Sequence, residues 1–182
     1  MEHLLDVRDL NITYLNKSRN VQAVRHANFT IDKGDSLGLV GESGSGKSTM
    51  AMGMLRILPQ DSIQMTGSAL FMGKDLVTIS DEEMNKLRWK EIAVVFQKAM
   101  NSLSPVHRIG MQIEDIYHVH EPKATKKEIH DRTMELLKLV NMPERVYKLY
   151  PHEMSGGMLQ RVAIVISLLH SPKLLVFDEA TT

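Results

Sequence analysis

Gly41-Glu42-Ser43-Gly44-Ser45-Gly46-Lys47-Ser48 fits the pattern G-x-x-x-x-G-K-[ST] at every position. The chemistry needs these residue types. Glycines let the backbone curl so that successive N–H groups face a polyphosphate. A helix that starts on the loop adds the positive end of its dipole. Lys47 supplies a mobile cation, and the Ser48 hydroxyl is an oxygen ligand for Mg²⁺. The setting is also right. Ser36-Leu37-Gly38-Leu39-Val40 reads as a short apolar strand, and residues 47–58 read as a helix closed by Pro59. A flexible Gly/Ser loop would need neither neighbour.

Working outward, the upstream half reads as strands. Leu4, Leu5, Val7, Leu10 and Ile12 mark strand pieces, residues 21–31 alternate loosely, and Asp32-Lys33-Gly34-Asp35 is a turn. Downstream, residues 68–72 and 75–79 are further strand pieces. Ser80-Asp81-Glu82-Glu83 is a capping box that opens a helix to about Trp89. Residues 92–96 read as a buried strand. The character then turns helical: 109–118, then a second capping box at Thr125-Lys126-Lys127-Glu128 and a helix to about Asn141, then 155–170, apolar almost all round. Residues 173–177 form a last strand, read as buried. This order predicts an α/β nucleotide-binding core with a helical insertion at 98–152.

Composition narrows the class. The 182 residues carry 22 basic and 22 acidic side chains, and 43% are hydrophobic, an ordinary globular balance. Zero formal charge argues against a protein that coats nucleic acid. The absence of cysteine excludes disulfides, Cys zinc sites and Cys nucleophiles from these residues. No apolar run approaches the roughly 20 residues that span a bilayer. The start of the chain is interrupted by acids and does not read as a signal peptide. His118-Val119-His120 is a poor metal pair, since i,i+2 positions on a helix do not share a face. The 13 methionines read as core filler.

Two further elements belong with the phosphate loop. Leu174-Leu175-Val176-Phe177-Asp178-Glu179 places Asp178 at a strand end, able to hold Mg²⁺ through water, with Glu179 next to it to polarise an attacking water. Met154-Ser155-Gly156-Gly157-Met158 opens an apolar helix, where a hydroxyl and two glycines make a second anion site. A capped helix with a tight turn is the plainer alternative for that segment.

This constellation resembles the ATP-binding subunit of ABC transporters. The resemblance covers essentially the whole chain. It implies a P-loop NTPase fold of the ABC type, with an N-terminal β-subdomain and the helical insertion, so that residues 1–182 are one partial ATP-binding domain. It casts Gly41, Ser43, Gly44, Ser45, Gly46, Lys47, Ser48 and Thr49 as Walker A. Ser155, Gly156 and Gly157 become the signature loop, in which Met154 and Met158 replace the usual Leu and Gln. Asp178 becomes the Walker B aspartate, Glu179 the catalytic glutamate, Gln97 the Q-loop glutamine on Mg²⁺ and the attacking water, and Tyr14 the aromatic that stacks on adenine. Phe96-Gln97-Lys98-Ala99-Met100-Asn101-Ser102-Leu103-Ser104-Pro105 and Tyr150-Pro151-His152-Glu153-Met154 look like the dipeptide, oligopeptide and nickel importer branch.

The resemblance implies ATP hydrolysis with Lys47, Gln97 and Glu179 as acting groups. Ser155 and Gly157 would serve the nucleotide of a second ATP-binding subunit. Permease subunits, a solute-binding protein acting indirectly, no nucleic acid, and a place on the cytoplasmic face of the cell membrane complete the expectation. A soluble ABC ATPase of DNA repair or translation, and a catalytically dead nucleotide-binding module, are the alternatives. The family also places a D-loop and a switch histidine after the glutamate. Here all eight histidines precede Glu179, and Ala180 stands where Pro is usual. The chain is therefore expected to be an N-terminal piece of its domain, inactive or weakly active alone.

Overall fold

A computed structural model describes residues 3–96 and 103–178. The chain divides into two compact units, Met1–Lys86 and Leu87–Thr182.

The first unit is built on an antiparallel sheet in the order β2-β1-β3-β4, with β1 at Leu5–Tyr14, β2 at Val21–Ile31, β3 at Ile63–Phe71 and β4 at Lys74–Asp75. The apolar positions of β1 change parity along the strand. Leu5 and Val7 are buried, and so are Leu10 and Ile12. A regular strand would send these two pairs to opposite faces. The register shifts between Val7 and Leu10 resolve the conflict. Asp9 takes φ +47°, the extra residue of a bulge, and all four side chains then share the core.

The polar groups that the bulge exposes are rebonded locally. Asn28 Oδ1 accepts from the Asp9 N–H at 2.9 Å, and Asn11 Oδ1 from the His26 N–H at 2.9 Å. Gly67 on β3 faces the bulge at φ +90°, where an added Cβ would run into the Asp9 carbonyl. The sheet is capped by α1 (Lys47–Met54), whose Met50, Ala51, Met52, Gly53 and Met54 are buried. A short α2 (Asp81–Leu87) follows, its first turn fixed by Ser80 Oγ accepting from the Glu83 N–H at 3.2 Å.

The strand expected at residues 36–40 is not formed. Leu37, Leu39 and Val40 are 45%, 43% and 98% exposed. Apolar composition cannot make a strand by itself. Its N–H and C=O groups need a ladder partner, and this segment has none among the described residues.

The second unit holds a parallel pair, β5 (Ile92–Phe96) and β6 (Leu174–Asp178), in register from Ile92↔Leu174 to Phe96↔Asp178. Ile92 to Val95 are all buried. The apolar run of the last strand predicts burial, and here the structure differs. β6 buries Leu174 only, and Phe177 is 53% exposed. It is paired along one edge only, to β5, among the described residues.

The crossover between the strands is helical: α3 (Ile109–His120), α4 (Lys126–Leu139) and α5 (Gly156–Leu168). The Thr125 capping box forms with both arms in place. Glu128 Oε2 accepts from the Thr125 N–H at 2.7 Å, which holds that carboxyl below its ordinary range. One apolar cluster joins Ile109 and Ile113 of α3, Ile129 and Leu136 of α4, and Val162 and Val165 of α5. Packing thus continues past residue 152 into α5, which is not buried all round: Val162, Val165 and Ser167 are its buried residues.

The bulge yields a paired prediction. Gly34 and Gly67 share φ values near +90°, but a Cβ at 34 meets nothing within 4 Å. Gly34→Ala should cost about 1 kcal/mol, the strain of a left-handed L-residue. Gly67→Ala adds a backbone collision and should cost on the order of 3 kcal/mol. Urea unfolding of the two variants checks the difference.

Candidate functional site

The phosphate loop sits between the sheet and α1 of the first unit. Gly44 and Gly46 take φ +80° and +92°, which a side chain would strain. At Gly46 space is also closed, since a Cβ would strike the Ala23 carbonyl oxygen of β2. The Gly46 carbonyl accepts from the Met50 N–H at 2.8 Å and starts the helix. Lys47 reaches back over the loop. Its ammonium donates to the Gly41 and Glu42 carbonyls at 2.7 and 2.8 Å and to Ser45 Oγ at 3.2 Å. Ser43 in the loop and Ser48 in the first turn of α1 are both exposed.

Tyr14 closes β1, half-buried, with its hydroxyl 3.1 Å from Thr49 Oγ1. The bond ties the end of the sheet to the first turn of α1. Nothing in the sequence signalled it, because the partners lie 35 positions apart.

The second unit carries Ser155, Gly156, Gly157 and Asp178. Ser155 is the N-cap of α5, and its hydroxyl accepts from the Met158 N–H at 3.3 Å. Gly156 and Gly157 form the first turn, and a Cβ at 157 would meet open space. The capped-helix reading is therefore met in full by the geometry. Asp178 ends β6 opposite Phe96 of β5, at the carboxyl edge of the parallel pair. Gln97 and Glu179, which follow these two residues, lie outside the described residues.

His118 and His120 engage different partners. His118 Nε2 lies 3.0 Å from the Ala124 carbonyl, while His120 packs on His170. Among the described residues no group of three or more His, Asp or Glu is arranged to hold a metal ion. Ser48 and Asp178 offer the hard oxygen donors that Mg²⁺ takes, and such an ion is commonly held by one or two carboxylates with waters and phosphates. Each of the two, in its own unit, is a donor of the kind Mg²⁺ takes.

The sequence also missed Arg132. Its guanidinium donates to the Leu168 and Leu169 carbonyls at 3.1 and 3.3 Å and to Ser171 Oγ at 2.8 Å. It fastens α4 to the turn between α5 and β6.

Loop, helix and sheet together define a phosphate-loop nucleotide-binding protein of the α/β class. The family profile described as "ABC transporter" matches residues 24–182, and the chain belongs to that family. Membership implies nucleotide binding. The chain is 46% identical over 182 residues to the oligopeptide transport ATP-binding protein OppD of Bacillus subtilis, covering 98% of this chain and 51% of that protein. It is 42% identical over 181 residues to OppD of Escherichia coli, covering 98% and 53%. The chain thus spans about half the length of these curated relatives. The dimeric post-hydrolysis structure of the ATP-binding cassette MJ0796, bound to ADP and Pi, superposes with a TM-score of 0.83 at 27% identity over 97% of this chain and 74% of that one.

Ser155 gives the prediction for this site. Ser155→Ala removes the cap and should destabilise α5 by about 1 kcal/mol, while Ser155→Gly should cost only a few tenths. Thermal unfolding followed by circular dichroism separates the two.

Proposed function

We propose that this chain is the ATP-binding part of a subunit that hydrolyses ATP to energise peptide import through a membrane permease. The loop that turns at Gly46 and seats Lys47 against the Gly41 carbonyl carries the reading, and the likeness to OppD proteins supports the peptide branch. Nickel is the other cargo of that branch. The nucleotide would lie with its phosphates on the amides of Gly41, Ser43, Gly44, Ser45, Gly46 and Lys47 and its α-phosphate end toward Ser48 and Thr49. Tyr14, steadied by Thr49, is the proposed platform for the base. Lys47 would leave its three loop acceptors and neutralise phosphate charge.

Ser48, Asp178 and Gln97 are the residues proposed to hold Mg²⁺, which would supply charge neutralisation on the phosphates when bound. Glu179 is the proposed acceptor for the proton of the attacking water, and Gln97 the group that orients it. Ser155, Gly156 and Gly157 would face the nucleotide of a second ATP-binding subunit, as two copies close on ATP. MJ0796 is described as a dimer, which favours this arrangement. We also place residues 98–152 in a helical subdomain that meets the permease. The subunit would be peripheral, on the cytoplasmic side, with a solute-binding protein linked only through the permease. No helix among the described residues is long and apolar enough to cross a membrane.

Nucleotide binding tests the reading directly. A fluorescent ATP analogue with Mg²⁺ should bind the chain, and Lys47→Ala should weaken it by roughly 10- to 100-fold, the 1.5–3 kcal/mol of hydrogen bonds to a charged group. Unchanged affinity in Lys47→Ala would overturn the placement of the phosphates. In the complete subunit with its permease, Glu179→Gln should abolish turnover while ATP still binds.

A further inference from the structure

His170 sits on the turn from α5 to β6, between the helix capped by Ser155 and the strand ending in Asp178. Its ring packs on Tyr117 of α3 with centroids 4.6 Å apart and meets His120 edge-on at 5.2 Å. Nε2 is buried and has no hydrogen-bond partner among the described residues. The ring lines an open cleft of about 590 Å³ that Lys90, Glu121, Lys123, Glu128 and Arg132 also line. The turn is itself constrained. Arg132 grips its carbonyls, and Ser171 takes φ +53°.

We propose that His170 is an acid-sensitive latch: the neutral imidazole closes the joint between α3 and the α5–β6 turn, and its protonation loosens that joint. A protonated ring would bring an N–H to Nε2 where no acceptor stands. It would add positive charge near His120 and near the cations Lys90 and Arg132. The opposing group is Glu121, and it is already engaged by Lys90 at 2.8 Å. Lys123 and Glu128 on the cleft rim are of opposite sign.

Burial first, then His120, hold the imidazole below its ordinary value of 6.5. The sign follows. Above about 6.5 the ring is neutral in folded and unfolded chains alike, and the joint has its full strength. As pH falls below that value, the unfolded chain takes up the proton first, and stability drains away until the folded ring titrates too.

The test uses the 182-residue chain. Imidazole resonances are followed by NMR, with His170 assigned through its contacts to the Tyr117 ring. Its midpoint should lie below 6.5. A midpoint at or above that value overturns the proposal. Hydrogen exchange, corrected for its intrinsic pH dependence, is then measured at about pH 7.5 and about pH 5.5. Wild type should lose protection in α3 and α5 between the two pH values, by at most roughly tenfold given how far the lower pH lies below the ordinary histidine value, while α1 serves as internal reference. His170→Gln and His170→Phe should lose much less. Equal loss in wild type and variants overturns the proposal. Should neither variant fold, the wild-type titration decides it alone.

Discussion

The Ala23 carbonyl leaves no room for a side chain at residue 46. That single exclusion fixes much of the first unit. It forces a glycine into a left-handed turn, starts α1 one residue later, and sets Lys47 at the mouth of the loop. Because the oxygen belongs to β2, the antiparallel sheet acts as the anvil on which the loop is bent. The sheet in turn depends on the bulge at Asp9, which lets Leu5 and Ile12 reach the same core. A chain of short-range steric demands therefore runs from β3 through β1 and β2 to the anion-binding turn.

Much of this was legible in the residues. The phosphate loop announces itself because its chemistry demands glycine, lysine and hydroxyl at fixed spacing, whatever the surroundings. The capping box at Thr125 is legible for the same reason: its partners are three residues apart. The broken apolar phase of β1 was visible as strand pieces, but which residue bulges depends on Gly67, far away in sequence. The strand expected at 36–40 failed because pairing is not a local property. The overestimate of burial in β6 and α5 has the same origin, as apolar composition says how much a segment could bury and its neighbours decide how much it does.

Long-range polar contacts were invisible from the start. Tyr14 to Thr49 and Arg132 to the α5–β6 turn each cross more than thirty residues. They share a design, however. Each takes a polar side chain on one element and uses it to fix the end of another, near a residue with proposed chemistry. The second unit relies on this more heavily than the first, since among the described residues two paired strands anchor its helical crossover and side chains must tie the turns.

The inward fold of Lys47 has one more consequence. A cation already satisfied by three oxygens of its own loop gains little from a weak anion. Chloride or a single carboxylate would break those bonds for little return, whereas a polyphosphate can replace them and engage the loop amides as well. Entry of the ligand is thus an exchange of partners rather than the filling of a positive hole. On the proposed reading, the loop would screen its visitors by charge density before any contact with a base is made.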